Sequence, residues 1–317
     1  MTALIVRRLV QLPLILFAIY TITFALAWLV PGNPLEKSEG RRPPPEVVAA
    51  MRKQYNLDNP AVFFFEYLGN ATGISWALGR GARPFDLGPS LRQPDWSVNE
   101  ILEAGLPVSM TLGLAALAIA VAIGIGAGLV GGLRPGSAVD GATLLVAVVG
   151  ISVPPFVVGS ALLMLFASTL RWAPVGGWGG LRHLALPAIT LSLPFAAYIA
   201  RLTRSGMIEQ MRSDYVRTAR AKGLSLGQAA VRHALRNALL PVVSFLGPAA
   251  AAAMTGSFVV EKVFAVPGIG RHFVDGVLGK DITLVMGVVL VYSTMLVLFN
   301  LAVDVAYRWV DPRMEQA

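Results

Sequence analysis

Asp214-Tyr215-Val216-Arg217-Thr218-Ala219-Arg220-Ala221-Lys222-Gly223-Leu224 has the composition of a short amphipathic helix. Gly223 stops it, because glycine adopts the left-handed C-cap geometry at least cost. Ser225 comes next, with a hydroxyl able to cap the orphan amides of a second helix over residues 226–240, which flows into apolar sequence beyond Pro241. The pattern predicts a helix, turn, helix elbow. That elbow lies in a polar, basic island, residues 201–241, between two long apolar runs, so the nature of those runs decides the fold.

The runs are free of Asp, Glu, Lys, Arg and His, and six of them can be drawn: residues 9–30, 104–133, 141–170, 184–200, 237–260 and 282–303. The first is 22 residues long, enough to cross the roughly 30 Å hydrocarbon layer at about 1.5 Å per residue. Ala25-Leu26-Ala27 has the look of a signal-peptidase site, but the run exceeds the usual length of a signal core and reads as a retained span. With 55% hydrophobic residues, 14% charged residues and a mean hydropathy of +0.65, the 317-residue chain has too little polar material to cover a soluble globule. The expected fold is an all-α integral membrane protein of six transmembrane helices. A long extracytoplasmic loop follows the first, and the elbow forms a cytoplasmic loop between the fourth and fifth. In domain terms this gives residues 1–30 as an N-terminal span, 31–103 as a loop or small subdomain, and 104–317 as a five-span core.

Orientation follows from the short loops. If Arg7 and Arg8 are inside, inner segments hold 13 Lys and Arg against 5 in the short outer loops, which places both termini and the island in the cytoplasm. The net charge of +8 therefore belongs to membrane topology rather than to nucleic acid. Within residues 31–103, residues 45–55 have helical composition and 79–94 read as loop. The patch Phe63-Phe64-Phe65-Glu66-Tyr67 has the character of an anchor at the headgroup level. Gly124, Gly128 and Gly132 share one helix face and predict close approach of a second helix. Pro154-Pro155, Pro187 and Pro194 predict kinks or broken hydrogen bonding inside their spans.

Several chemistries have no apparatus here. There is no cysteine, and His183, His233 and His272 lie in three separate polar segments with no metal-ligand spacing. The one Gly-Lys pair, Gly279-Lys280, is followed by Asp281, so the phosphate-cradling loop of nucleotide hydrolases is missing. No nucleophile elbow or zinc-protease helix is present. The charge-free runs argue against a proton-coupled carrier, although a secondary transporter using carbonyl and hydroxyl sites stays open as an alternative.

The island resembles the coupling motif of the inner-membrane permeases of binding-protein-dependent ABC importers, in the peptide and nickel branch. The matching residues are 214–224 above and the run from Arg232-His233-Ala234-Leu235-Arg236 through Pro241-Val242. Arg217-Thr218-Ala219 stands where the wider family has Glu-Ala-Ala. Arg7-Arg8-Leu9, Pro31-Gly32-Asn33-Pro34, residues 94–101, Glu261 with Phe264, Pro267-Gly268-Ile269-Gly270, and Asp304 with Tyr307 and Asp311-Pro312-Arg313 extend the likeness over nearly the whole chain. The resemblance implies one permease in a bacterial inner-membrane importer, working with a second homologous permease, two ATPase subunits and an extracytoplasmic substrate-binding protein. ATP and Mg would reside on the ATPases, with no cofactor in this chain. Asp214, Tyr215, Arg217, Thr218, Ala219, Arg220, Lys222, Gly223, Leu224, His233 and Arg236 would form the ATPase-coupling site. There Arg217, Arg220 and Lys222 suit an acidic groove, while Tyr215, Ala219 and Leu224 would supply an apolar ridge. Anchoring to anionic membrane lipid would explain the charge, but not the capped break. Peptide is the expected cargo, with nickel chelate, glutathione or another small solute as the alternative.

Overall fold

A computed structural model describes residues 2–30, 45–93, 95–255 and 258–310. Pro31-Gly32-Asn33-Pro34, Pro94 and Asp311-Pro312-Arg313 lie outside the described residues, as do the side chains of Arg7, Arg8, Asp304 and Tyr307. Among the described residues the secondary structure is helical, apart from turns, loops and an isolated bridge between Pro89 and Ser97. In chain order the helices are α1 (Thr2–Leu29), α2 (Pro45–Gln54), α3 (Pro60–Ala71), α4 (Ile74–Ala77), α5 (Val98–Leu133), α6 (Ala138–Ser152) and α7 (Pro155–Leu162), the last continuing as a π-helix over Leu163–Thr169. There follow α8 (Leu181–Met211), α9 (Asp214–Ala221), α10 (Leu226–Ala229), a π turn at Ala230–Ala234, α11 (Leu235–Ala238), α12 (Leu240–Met254), α13 (Phe258–Val263), α14 (Ile269–Gly279) and α15 (Ile282–Val310).

Five helices among the described residues are long and apolar enough to cross a membrane, and α6 with α7 makes a sixth, broken segment bent by 102°. The six apolar runs thus have counterparts in the fold. Proline chemistry accounts for the break. The Val153 amide closes the last bond of α6 to the Val149 carbonyl, and Pro154 and Pro155 bring no amide to continue the ladder. Pro155 then serves as the first residue of α7, where the missing N–H costs nothing. Pro187 and Pro194 leave α8 a single helical element.

The chain divides into two compact units. The first comprises Met1–Val108 and Pro267–Met295. Here α3 begins at Pro60, with the Asn59 side chain accepting from the Val62 amide, and the aromatic patch packs along α1. Phe63, Phe64 and Tyr67 fall on one side of α3, where Phe24 sits within 6.0 Å of the Phe63 and Phe64 rings and the Tyr20 hydroxyl donates to the Phe64 carbonyl at 2.6 Å. Of the aromatic residues in this patch, Phe65 is largely exposed, at 69%, and Glu66 beside it is exposed as well. Residues 85–93 lie in a loop, fastened by the fully buried Asp281 carboxylate. It accepts from Ser90 Oγ at 2.5 Å, the Arg92 amide at 3.2 Å, Thr283 Oγ1 at 2.9 Å and the Leu284 amide at 3.1 Å. A carboxylate with four donors is satisfied without a counter-ion in contact.

The second unit comprises Ser109–Val266 and Leu296–Ala317. Its centre is the seam of α5 against α8. A Cβ built on Gly124 would stand 2.7 Å from Ile199 Cβ, one on Gly128 2.5 Å from the Ala200 carbonyl oxygen, and one on Gly132 2.6 Å from Met207 Cβ. The three glycines therefore admit three successive turns of α8 to backbone distance, which no larger residue allows.

Candidate functional site

The elbow is built from the end of α8 outward. α8 stops at Met211 and α9 starts after Ser213, whose carbonyl receives the Arg217 amide at 3.1 Å. The reversal at the far end depends on Gly223, with φ at +94°, and is closed by the Gly223 amide on the Arg220 carbonyl at 3.0 Å and the Leu224 amide on the Ala219 carbonyl at 3.4 Å. This is the left-handed stop expected of glycine. Ser225 and Gln228 then form a reciprocal capping box, Gln228 N to Ser225 Oγ at 3.3 Å and Ser225 N to Gln228 Oε1 at 3.1 Å. The following segment was expected as one helix to residue 240. It instead contains the π turn at Ala230–Ala234, which holds no proline or glycine, and breaks at Leu239, just ahead of Pro241 in the first turn of α12.

The side chains sort into two faces. Val216 turns inward into a cluster with Met207, Ala229, Ala230, Ala234 and Ala238, with Leu224 packed at its margin, and Ala219 is buried as well. Full burial of a valine side chain contributes roughly 1.5–3 kcal/mol, so this contact anchors α9 to its own scaffold. Of the three residues expected to form an apolar ridge, Ala219 is buried and Leu224 is half-buried against that cluster, while Tyr215 is exposed. Val216, fully buried, was not singled out by sequence reasoning, although its three-residue spacing from Ala219 was the available signal. Gly206 assists from α8, where a Cβ would meet the Ala238 carbonyl oxygen at 2.6 Å.

The outer face is polar and basic. Asp214, Tyr215, Arg217, Thr218, Arg220 and Lys222 are exposed, as are Arg232, His233 and Arg236 beyond the turn. Arg217 and Asp214 pair at 3.2 Å but are 72% and 95% exposed, so water screens the pair and leaves the guanidinium accessible. Tyr215 is not simply apolar surface. Its hydroxyl donates to Gln210 Oε1 at 2.7 Å and accepts from Asn237 Nδ2 at 3.1 Å, bracing α9 against both α8 and α11. Among the described residues, no group of three or more potential metal ligands lies together.

Two family models together match nearly the whole chain. The model described as binding-protein-dependent transport system inner membrane component covers residues 120–316, and that for the N-terminal part of such membrane components covers residues 1–113. The chain is similar to the dipeptide transport system permease protein DppB of Bacillus subtilis, at 39% identity over 98% of this chain and 97% of that protein. It is also similar to the oligopeptide transport system permease protein OppB of Salmonella typhimurium, at 41% identity over 98% of each. Among solved structures, a chain of the inward-facing MetNI methionine ABC transporter shares the fold, with a TM-score of 0.55 and 21% identity over 66% of this chain and 96% of that one. Multi-pass architecture, a capped elbow between two apolar helices and full-length likeness agree: this chain belongs to the binding-protein-dependent transport system inner membrane components, the permease subunits of ABC importers.

Proposed function

We propose that this permease forms half of the translocation pathway of an ATP-driven peptide importer, and that α9 is the helix through which separate ATPase subunits drive it. The observation that carries the peptide assignment is the 39–41% identity, end to end, to permeases named for dipeptides and oligopeptides. Coupling through α9 is supported by its geometry: Val216 and Ala219 are buried on the inner face, while Arg217, Arg220 and Lys222 are exposed, where they can meet carboxylates of a partner groove. The arrangement suits a rigid handle. ATP and Mg act on the partner ATPases, whose closure displaces the elbow and switches the cavity between inward- and outward-facing states. Both termini lie in the cytoplasm in this reading, as the excess of Lys and Arg in the inner segments requires.

The test is purification of the chain with the products expressed beside it, followed by reconstitution with a peptide-binding protein in liposomes. Co-purifying ATPase subunits and ATP-dependent peptide accumulation are expected. A chain that carries no ATPase and accumulates solute by itself overturns the reading in favour of a secondary transporter.

A further inference from the structure

α6, the first arm of the broken segment, packs along α8 with one narrow face. Along it only Asp140 and Ala147 are buried, while Leu145, Val146, Val148 and Val149 face outward. A shallow cleft of about 10 Å3, lined by Gly128, Thr143, Ala147 and Arg204 among others, lies at its seam with α5 and α8.

The strongest tie is in the first turn. Asp140, 2% exposed, accepts from Arg204 Nε at 2.5 Å and Nη2 at 2.7 Å, and from the Gly136 amide at 2.8 Å. Ser137 caps the same turn, accepting from the Asp140 amide at 3.2 Å. From α5, Gly131 makes room for the pair, since a Cβ there would stand 2.8 Å from Thr143 Oγ1 and 3.1 Å from Asp140 Oδ1. Three helices thus converge on one ion pair. Met207, three residues beyond Arg204 on the same helix, belongs to the cluster beneath α9. At its other end α6 stops at the Pro154-Pro155 break.

The choice of chemistry is informative. An ion pair with one side chain buried and the other 23% exposed returns little net stability, and apolar residues of similar size would hold α6 as firmly. A guanidinium gripped at two nitrogens adds orientation, because the planar fork fixes angle as well as distance.

We propose that Arg204 and Asp140 form a positioning clamp that locks α6 to the arm carrying α9, so that movement of the elbow is delivered to the Pro154-Pro155 break. The inference rests on the reading of α9 as the point of force entry. With the clamp closed, α6 and α8 move as one body and the bend must change; with it open, α8 slides and the break stays behind.

The experiment uses the full importer in liposomes with its ATPases and binding protein, and reads peptide transported per ATP hydrolysed. A wild-type assembly without ATP-driven uptake would refute the reading of the elbow; coupled wild type with unaffected variants would refute the clamp alone. Asp140→Asn is expected to lower transport per ATP by about tenfold while ATP hydrolysis stays within about twofold, and the exchange D140R/R204D to recover at least about a third of the ratio. A role in folding alone would lower both activities together and leave their ratio unchanged, and that result sinks the proposal. If Asp140→Asn does not assemble, Arg204→Lys supplies the second variant: it retains the charge and loses the fork. Its expected ratio is about two- to fivefold below wild type, and a wild-type ratio overturns the clamp.

Discussion

Replacement of Gly223 by valine tests the elbow most directly. At φ of +94° a side chain is strained by its own backbone, and no atom lies within 4 Å of where a Cβ would sit, so the substitution adds conformational cost without a steric clash. That cost is about 1–2 kcal/mol for alanine and up to about 3 kcal/mol for the β-branched valine. At about 1.4 kcal/mol per factor of ten, valine disfavours the native turn by roughly 30- to 150-fold relative to conformations in which the chain leaves α9 along another path. Because Val216 still anchors α9 from within, the turn loosens before the helix detaches. Reconstituted importer carrying Gly223→Val should therefore assemble and hydrolyse ATP while peptide uptake falls by about tenfold, with Gly223→Ala between it and wild type. Uptake assays beside phosphate release in the same vesicles measure both quantities. Wild-type uptake by the valine variant would refute the assignment of a rigid turn to this position.

Other outcomes follow from the same packing. Gly128→Val should lower the thermal unfolding midpoint of the purified chain, since overpacking of the α5–α8 seam costs about 1–3 kcal/mol or more, whereas Gly126→Ala, with open space around it, should be neutral or slightly stabilising. Tyr215→Phe removes the bridge from Gln210 to Asn237 without changing the inner face; it should reduce transport per ATP while leaving the unfolding midpoint nearly unchanged, as compared by uptake and by calorimetry. Ser225→Ala removes the cap of α10 and should cost about 1 kcal/mol, visible as faster proteolysis at the elbow. Burial, reinforced by the Arg271 cation, holds the His272 imidazole below its ordinary value of 6.5. The unfolded chain thus takes up this proton first. The contribution of His272 to stability is complete above the ordinary value and is lost as pH falls below it, a slope that His272→Gln should flatten in unfolding measured across acid pH.

Much of this architecture was legible because single-residue physics dictates it. Apolar runs of spanning length must become helices in lipid, where every backbone amide needs a partner within its own segment. Gly223 and Ser225 marked the turn and the cap for equally local reasons, φ above zero in one case and a side-chain acceptor in the other. Gly124, Gly128 and Gly132 announced a close approach, since only the absence of a Cβ permits one. The elbow's two faces were less legible. Tyr215, Ala219 and Leu224 are all plausible surface residues in isolation, and only the packing of the helices decides that Ala219 is buried and Leu224 half-buried while Tyr215 braces two helices through its hydroxyl.

The sequence by itself thus determined the class of the fold, the spans, the stop at Gly223 and the family, all properties carried by local pattern or by motif. Tertiary structure alone decided which helix faces meet. It put the aromatic patch of α3 along α1, gave Asp281 the loop of Ser90 and Arg92, and paired Asp140 with Arg204 across 64 residues of chain. Such pairs are set by the packing of whole helices, and no local spacing encodes them.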